Sequence, residues 1–363
     1  MAVNSFLSSH YRLPQVQLLF RVVEATHQDQ KLKILDKMFP TKAEIGLKVS
    51  LELLALTVLS IPMFYVHLIS GPSYTPFLRG FYCDDQNLKH PYVESQKVPM
   101  MFCFAMWNLL LLIVIVFIEL LRSRAMKSME FPIFGVNLPW LVIELYRHFG
   151  YLMFGGISSI VFTDLSKFTV GRLRPHFLTI CQPSFSDELC KDEFGYPKFV
   201  VEDDSKICSG LQSNTTLKMM RESRMSFMSG HSSFSFYCAT FLVLYLQARL
   251  NKFPDTSLLF VNRTVKILKV IRPFLQFSIL ILAFWIALTR ISDYFHHPMD
   301  VVAGCIVGIV FGILTLIVSN ICEHQTAYWK CTNKIIKSKS AGEKTRKQEN
   351  DLSKKKSLQD FVK

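Results

Sequence analysis

The sequence predicts an all-α fold: a polytopic membrane protein with six transmembrane helices. Half of its 363 residues are hydrophobic. They are clumped rather than spread at the period of an amphipathic helix or strand. Clumps near twenty residues with few charges match the hydrocarbon thickness of a bilayer. Six segments qualify, near 49–70, 99–121, 149–167, 231–249, 274–289 and 301–320. The third and fourth are the least clean, because polar residues crowd one end of each. The apolar stretch 131–146 is short and interrupted by Pro132 and Pro139, so it is expected to be an interfacial or buried connection.

Lysine and arginine in short loops orient the bundle. The loop after the second span carries Arg122, Arg124, Lys127 and Arg147. The loop after the fourth carries Arg249, Lys252, Arg263, Lys266, Lys269 and Arg272. The loop 71–98 has only Arg79, Lys89 and Lys97. Both termini are therefore expected in the cytoplasm. Residues 1–30 are polar and mixed, without the apolar core of a cleavable signal peptide, so the run from Val49 is expected to serve as signal and anchor. This divides the chain into a cytoplasmic segment 1–46, a membrane domain 47–322 with a long non-cytoplasmic loop 168–230, and a basic tail 323–363 expected to be disordered.

A net charge of +13 is read as cytoplasmic cations facing anionic lipid, not as a nucleic-acid surface. Of the nine cysteines, Cys103, Cys238 and Cys305 fall in spans as small apolar residues. Cys83, Cys181, Cys190 and Cys208 fall outside, where one or two disulfides are expected and the pairing stays open. The sequon at Asn214 lies on the side where glycosylation occurs, whereas the one at Asn262 is expected to be silent. With no CxxC pair or HExxH, no metal site and no cofactor are expected.

Ionisable residues concentrate at three loop ends. The first cluster runs from Lys167 through Arg172 and Arg174-Pro175 to His176. The second is Ser229-Gly230-His231-Ser232-Ser233. The third is Thr289-Arg290, then His296-His297-Pro298-Met299-Asp300. Each has an ordinary explanation when taken alone: snorkelling cations, a helix cap, a structural hydrogen bond. The topology puts all three on the same non-cytoplasmic face, where stray cations are disfavoured, and so permits a common site.

Lys167, Arg174 and Arg290, with Ser229 and Gly230, have the chemistry of a phosphate site. Guanidinium forks match phosphate oxygens, a helix N-terminus turns free N–H groups toward an anion, and glycine permits close approach. His296 and Asp300 are four apart, which puts them on one face if the helix includes His296. The carboxylate would then orient His296 as nucleophile, with His231 as general acid.

These motifs resemble the lipid phosphate phosphatase family (type 2 phosphatidate phosphatases). Its first motif, Lys, six residues, Arg-Pro, is met by Lys167 through Arg174-Pro175. Its second, Ser-Gly-His, is met by Ser229, Gly230 and His231. Its third, Ser-Arg, five residues, His, three residues, Asp, reads Thr289-Arg290, His296 and Asp300. The likeness covers roughly 45–322 and includes Arg79-Gly80-Phe81-Tyr82-Cys83 and Tyr245-Leu246-Gln247-Ala248-Arg249. Thr289 replaces the usual serine but keeps the hydroxyl, and Met228 stands where many relatives carry proline or tyrosine. The resemblance implies a helical core like that of vanadium haloperoxidases and bacterial acid phosphatases. It implies a magnesium-independent phosphatase of phosphatidate, lysophosphatidate, sphingosine 1-phosphate and ceramide 1-phosphate, plasma-membrane residence and a homo-oligomer. The competing readings are a catalytically silent lipid-phosphate-binding membrane protein and a transporter. The retained His231/His296 pair argues against the first, and the absence of inverted repeats against the second.

Overall fold

The computed structural model describes residues 42–65, 75–125, 130–133, 136–183, 186–201, 207–209, 214–253 and 258–319. The chain divides into two units, Met1–Leu51 with Glu323–Lys363, and Glu52–Cys322. The second holds the fold described below. Most of the N-terminal segment and the basic tail lie outside the described residues.

In chain order the helices are α1 (Lys42–Phe64), α2 (Met100–Ala125), α3 (Trp140–Val170), the short α4 (Phe177–Cys181) and α5 (Asp187–Cys190), α6 (Asn214–Ser223), α7 (Gly230–Asn251), α8 (Leu259–Ser292) and α9 (Pro298–Ser319). Two-residue strands β1 (Phe81–Tyr82) and β4 (Phe199–Val200) pair antiparallel, as do β2 (Glu130–Ile133) and β3 (Val136–Pro139). Asn214 opens α6, and its side chain lies outside the described residues.

Among the described residues, four helices are long and apolar enough to cross a bilayer: α2, α3 over Leu141–Val170, α8 and α9. The other two expected spans differ for identifiable reasons. In α1 the apolar stretch is Val49–Pro62, shorter than a span, and residues 66–74 lie outside the described set. α7 is in place, but it runs through the centre of the bundle. Its polar side chains Ser232, Ser233, Ser235, Thr240 and Arg249 are buried against other helices instead of facing lipid, so it needs less apolar surface. Two boundaries also move. The stretch 131–146 divides into the β2–β3 hairpin and the first turns of α3. Residues 259–273, expected as a basic loop, form the first half of α8 and carry Pro273 within the helix.

α7 sets the packing. Phe241, Leu242, Tyr245 and Leu250 pack into a core with Trp107, Leu111 and Ile115 of α2 and Ala283 and Ile286 of α8. Trp107 Nε1 donates to Ser235 Oγ at 3.0 Å, satisfying both polar groups inside the core. α9 presents glycines at positions 304, 308 and 312, one helical turn apart, so its backbone lies directly on α7. A Cβ on Gly304 would sit 2.6 Å from the Ser229 carbonyl oxygen, and one on Gly308 2.3 Å from that of Ser233. Small residues at this spacing let membrane helices approach closely enough for dispersion to hold them.

At the α7 C-terminal end, Arg249 bonds Glu119 of α2 (Nε–Oε1, 3.1 Å) and Glu144 of α3 (Nη2–Oε2, 2.8 Å). Tyr245 donates to Glu119 at 2.9 Å. Glu119, Glu144 and His148 are close enough to ligate a cation, but the Arg249 guanidinium, bonded to both carboxylates and in contact with His148, already supplies that charge.

At the opposite end, β1, β4, α4, α6 and the intervening loops form a second core around Phe81, Leu173, Phe177, Val200 and Met220. Two disulfides staple it, Cys83–Cys190 and Cys181–Cys208, a pairing that spacing alone left open. α3 enters this layer through Gly171, whose φ of 57° closes the helix by donating to the Lys167 carbonyl at 3.1 Å. A Cβ there would lie 2.0 Å from the Phe77 carbonyl oxygen, so only glycine fits.

Because the two atoms nearest Gly308 belong to the α7 backbone, Gly308→Ala is expected to force α9 away from α7. The cost should be about 1–3 kcal/mol, read as a lower melting temperature of the detergent-solubilised protein. An unchanged melt would show that α9 is free to retreat.

Candidate active site

The C-terminal end of α3, the N-terminal end of α7 and the α8–α9 junction meet at a cavity of about 270 Å³. Lys167, Arg174, Gly230, His231, Arg290 and His296 all line it, so the three clusters separated in sequence share one wall. Main-chain bonds hold them in register: Arg174 N donates to Ser223 O at 2.7 Å, Ser226 N to Arg172 O at 2.9 Å, and Ser229 N to Asp300 O at 3.1 Å.

The cations are held differently. Lys167 Nζ donates to Asp164 Oδ1, one helical turn back, at 3.0 Å. A Cβ on Gly230 would lie 3.3 Å from that ammonium, which is the close approach glycine permits. Arg290 is wholly buried and held from three sides: Nη1 with Gln96 Oε1 at 2.9 Å, Nη2 with Asp293 Oδ2 at 3.0 Å and Nε with Thr289 Oγ1 at 3.1 Å. Thr289 thus uses the hydroxyl it shares with serine to orient the guanidinium. Arg174 stacks over Phe295 at 5.2 Å, and its buried Nε has no hydrogen-bond partner among the described residues. Burial lowers its pKa, opposed mainly by Glu222. A buried N–H without a partner is costly, and an anion in the cavity would relieve that cost.

His296 Nδ1 lies 2.6 Å from the Ser226 carbonyl. A carbonyl only accepts, so Nδ1 carries the proton, and the lone pair is on Nε2, which has no partner among the described residues. Burial first, then the charges of Arg174 and Lys167, hold the His296 pKa well below the ordinary histidine value. The ring is therefore neutral, and nucleophilic, at neutral pH. By the same logic His231 Nε2, 3.0 Å from the Val98 carbonyl, carries its proton there and leaves Nδ1 for a ligand.

Two expected roles are corrected. Asp300 does not bond the His296 ring. Its carboxylate accepts from Arg172 Nη1 (2.6 Å), Ser226 Oγ (2.6 Å) and His297 N (3.1 Å). α9 begins at Pro298, so His296 precedes the helix and the four-residue spacing does not put the two side chains on one face. Asp300 reaches the His296 ring only indirectly, through Ser226, whose hydroxyl donates to the carboxylate and whose carbonyl accepts from Nδ1. Ser229 does not line the cavity either. Its buried hydroxyl caps α7, accepting from Ser232 Oγ at 3.0 Å and from Ser232 N at 3.4 Å. His176, in the first cluster, is structural: Nδ1 bonds the Tyr294 carbonyl at 2.9 Å, and burial, then Arg174, push its pKa down to about 4.

Sequence reasoning missed Asp164, Gln96, Glu222, Ser226 and the hydroxyls of Ser159 and Thr163, and gave Ser233, a member of the second cluster, no role. Six of these line the cavity, and Ser226 stands behind it. Asp164 and Thr163 sit three and four residues before Lys167, a spacing that could have marked them. Nothing in their neighbourhoods marks Gln96 or Ser226.

Fold and site together define a helical membrane phosphatase. A family model described as the PAP2 superfamily matches residues 148–322. Phospholipid phosphatase 1 of Rattus norvegicus is 37% identical over 67% of this chain and 76% of its own. The Mus musculus protein of that name is 37% identical over 70% and 80%. Phospholipid phosphatase 2 of Mus musculus is 32% identical over 74% and 84%. No solved structure matches. The chain belongs to the phospholipid phosphatase family within the PAP2 superfamily.

The depressed His296 pKa has a testable consequence. If neutral His296 is required, kcat/KM should hold as pH falls through 6.5 and drop only at lower pH. Arg174→Gln removes a charge that disfavours the imidazolium, so the folded pKa rises and the acid limb should move up by about one unit. The rate itself should fall on the order of 10²–10³-fold. Comparing both proteins on one substrate cancels the substrate's own titration. An acid limb that stays put or moves down would remove the Coulombic account.

Proposed function

We propose that the enzyme hydrolyses phosphate monoesters of lipids through a phosphohistidine intermediate on His296. The observation that carries this reading is a neutral imidazole whose proton is fixed on Nδ1, with its free Nε2 in a cavity ringed by Lys167, Arg174 and Arg290. In the proposed first step the Nε2 lone pair attacks phosphorus and the ester P–O bond breaks. The leaving alkoxide takes a proton from Nδ1 of His231, which the bound phosphate dianion allows to hold a second proton. Water then attacks the phosphohistidine and passes its proton back to His231, and inorganic phosphate leaves. The three cations stabilise the charge spread over the transferring oxygens, the main catalytic resource in phosphoryl transfer.

The cavity supports lipid substrates. Met100, Phe104, Ile160 and Phe234 share its wall with the cations, so an alkyl chain and a phosphate can be held side by side. Phosphatidate, lysophosphatidate, sphingosine 1-phosphate and ceramide 1-phosphate all have this character.

In this proposal the site faces the non-cytoplasmic side of a six-span plasma-membrane protein with both termini in the cytoplasm, glycosylated at Asn214 and assembled, as the resemblance implies, as a homo-oligomer. Two observations support the sidedness: Arg122, Arg249 and Lys252 meet at the other end of α7, and the disulfide-stapled layer contains the Arg174 loop, as an oxidising compartment requires.

Detergent-dispersed phosphatidate is expected to release phosphate with EDTA in excess. His296→Ala should lower that release at least about a thousandfold while the protein still reaches the membrane. Turnover near wild type in the variant would remove the nucleophile. Lipid binding without phosphate release by the wild type would favour the silent binding protein.

A further inference from the structure

The cavity continues past the cations. Along α3, Thr163 and Ser159 lie four and eight residues before Lys167, so at the helical rise they sit about 6 and 12 Å deeper in the bundle. Across from them, α7 contributes Ser233, two residues after His231. All three hydroxyls line the cavity, and each is at most 2% exposed. They form one connected set: Ser159 Oγ to Ser233 Oγ at 2.9 Å, Thr163 Oγ1 to Ser233 Oγ at 3.3 Å, and Thr163 Oγ1 to the Ser159 carbonyl at 2.7 Å.

Counting protons shows what this set has to spare. Three hydroxyls carry three donors, and among the described residues the Ser159 carbonyl is the one acceptor outside the set. If Thr163 donates to that carbonyl and Ser159 to Ser233, the Ser233 proton has no well-aligned acceptor among the described residues. A single ligand acceptor at this depth would take it at better geometry, and the oxygen lone pairs would accept from a ligand hydroxyl. On the same wall lie the apolar Ile160 and Phe234. From the outer end inward the cavity therefore offers cations first and neutral hydrogen-bonding groups next, flanked by hydrocarbon.

Lipid phosphates have the same order. The phosphate comes first. A few bonds on comes a polar linkage, an ester carbonyl in phosphatidate or a hydroxyl and nitrogen in a sphingoid phosphate. The alkyl chains follow. We propose that Ser159, Thr163 and Ser233 form a subsite for the polar linkage next to the phosphate, and that this subsite separates acylglycerol and sphingoid phosphates from simple alkyl phosphates. This rests on the lipid phosphatase reading above and sharpens its substrate class.

The alternative is that the hydroxyls only pack α3 against α7, in which case removing one would affect every substrate alike. The test uses full-length protein in detergent and two substrates, dioctanoyl phosphatidate and dodecyl phosphate, the second having no polar linkage. Thr163→Val and Ser233→Ala should each lower kcat/KM for phosphatidate about fivefold, the effect of losing a neutral hydrogen bond. For dodecyl phosphate the fall should be under twofold. Thr163→Ser, which restores the hydroxyl, should return phosphatidate turnover to near wild type. Equal losses on both substrates, or no loss on either, would overturn the subsite and leave the phosphatase reading intact. A wild-type protein that hydrolyses neither substrate would overturn that reading itself.

Discussion

The carboxylate of Asp300 is where the three site-forming stretches are joined. It is wholly buried and takes hydrogen bonds from the guanidinium after α3, the hydroxyl of Ser226 before α7 and the main-chain N–H of His297 ahead of α9. A buried carboxylate is tolerated only when its lone pairs are filled, so these segments are obliged to meet there. Ser226 turns the joint into chemistry. Its hydroxyl faces Asp300 while its carbonyl faces His296, and so the acid sets the histidine's tautomer without touching it.

The site is overbuilt in positive charge, and the way this is balanced separates its members. Three of the five N–H groups of Arg290 are taken by Gln96, Asp293 and Thr289, which fixes its orientation before any ligand arrives and leaves two N–H groups over. Lys167 has Asp164, a partner that a phosphate would have to outcompete. Arg174 keeps an unfilled N–H, and it is the member most improved by an anion. Burial, and then the charges of Arg174 and Lys167, keep His296 deprotonated, so in the proposed mechanism the cations that would attract phosphate also favour the free imidazole.

Much of this was legible in the chain. Apolar runs located the bundle, and loop charges put Lys167, His231 and His296 on one face, because topology is a counting argument that survives errors of several residues at helix ends. Errors arose where burial replaces lipid as the solvent. α7 falls short of a span by apolarity because its polar side chains face protein. α8 starts fifteen residues before the predicted run because a basic helical half has no apolar signal. The His296–Asp300 reading assumed that a helix boundary lay two residues earlier than it does, and spacing arguments have no tolerance for that. Gln96 and Ser226 were out of reach, since their importance comes from distant chain that no local pattern reports.

The buried ion pairs at the far end of α7 bear on how the chain is made. Glu144 emerges from the ribosome 105 residues ahead of Arg249, its eventual partner, and Glu119 earlier still. A carboxylate held near lipid without its counter-charge is expensive. The nascent α2 and α3 therefore have a reason to stay near the insertion machinery, sheltered by Arg122, Arg147 and His148, until α7 is threaded between them. Glu119 and Glu144 thus gain the guanidinium they share only once α7 has been made.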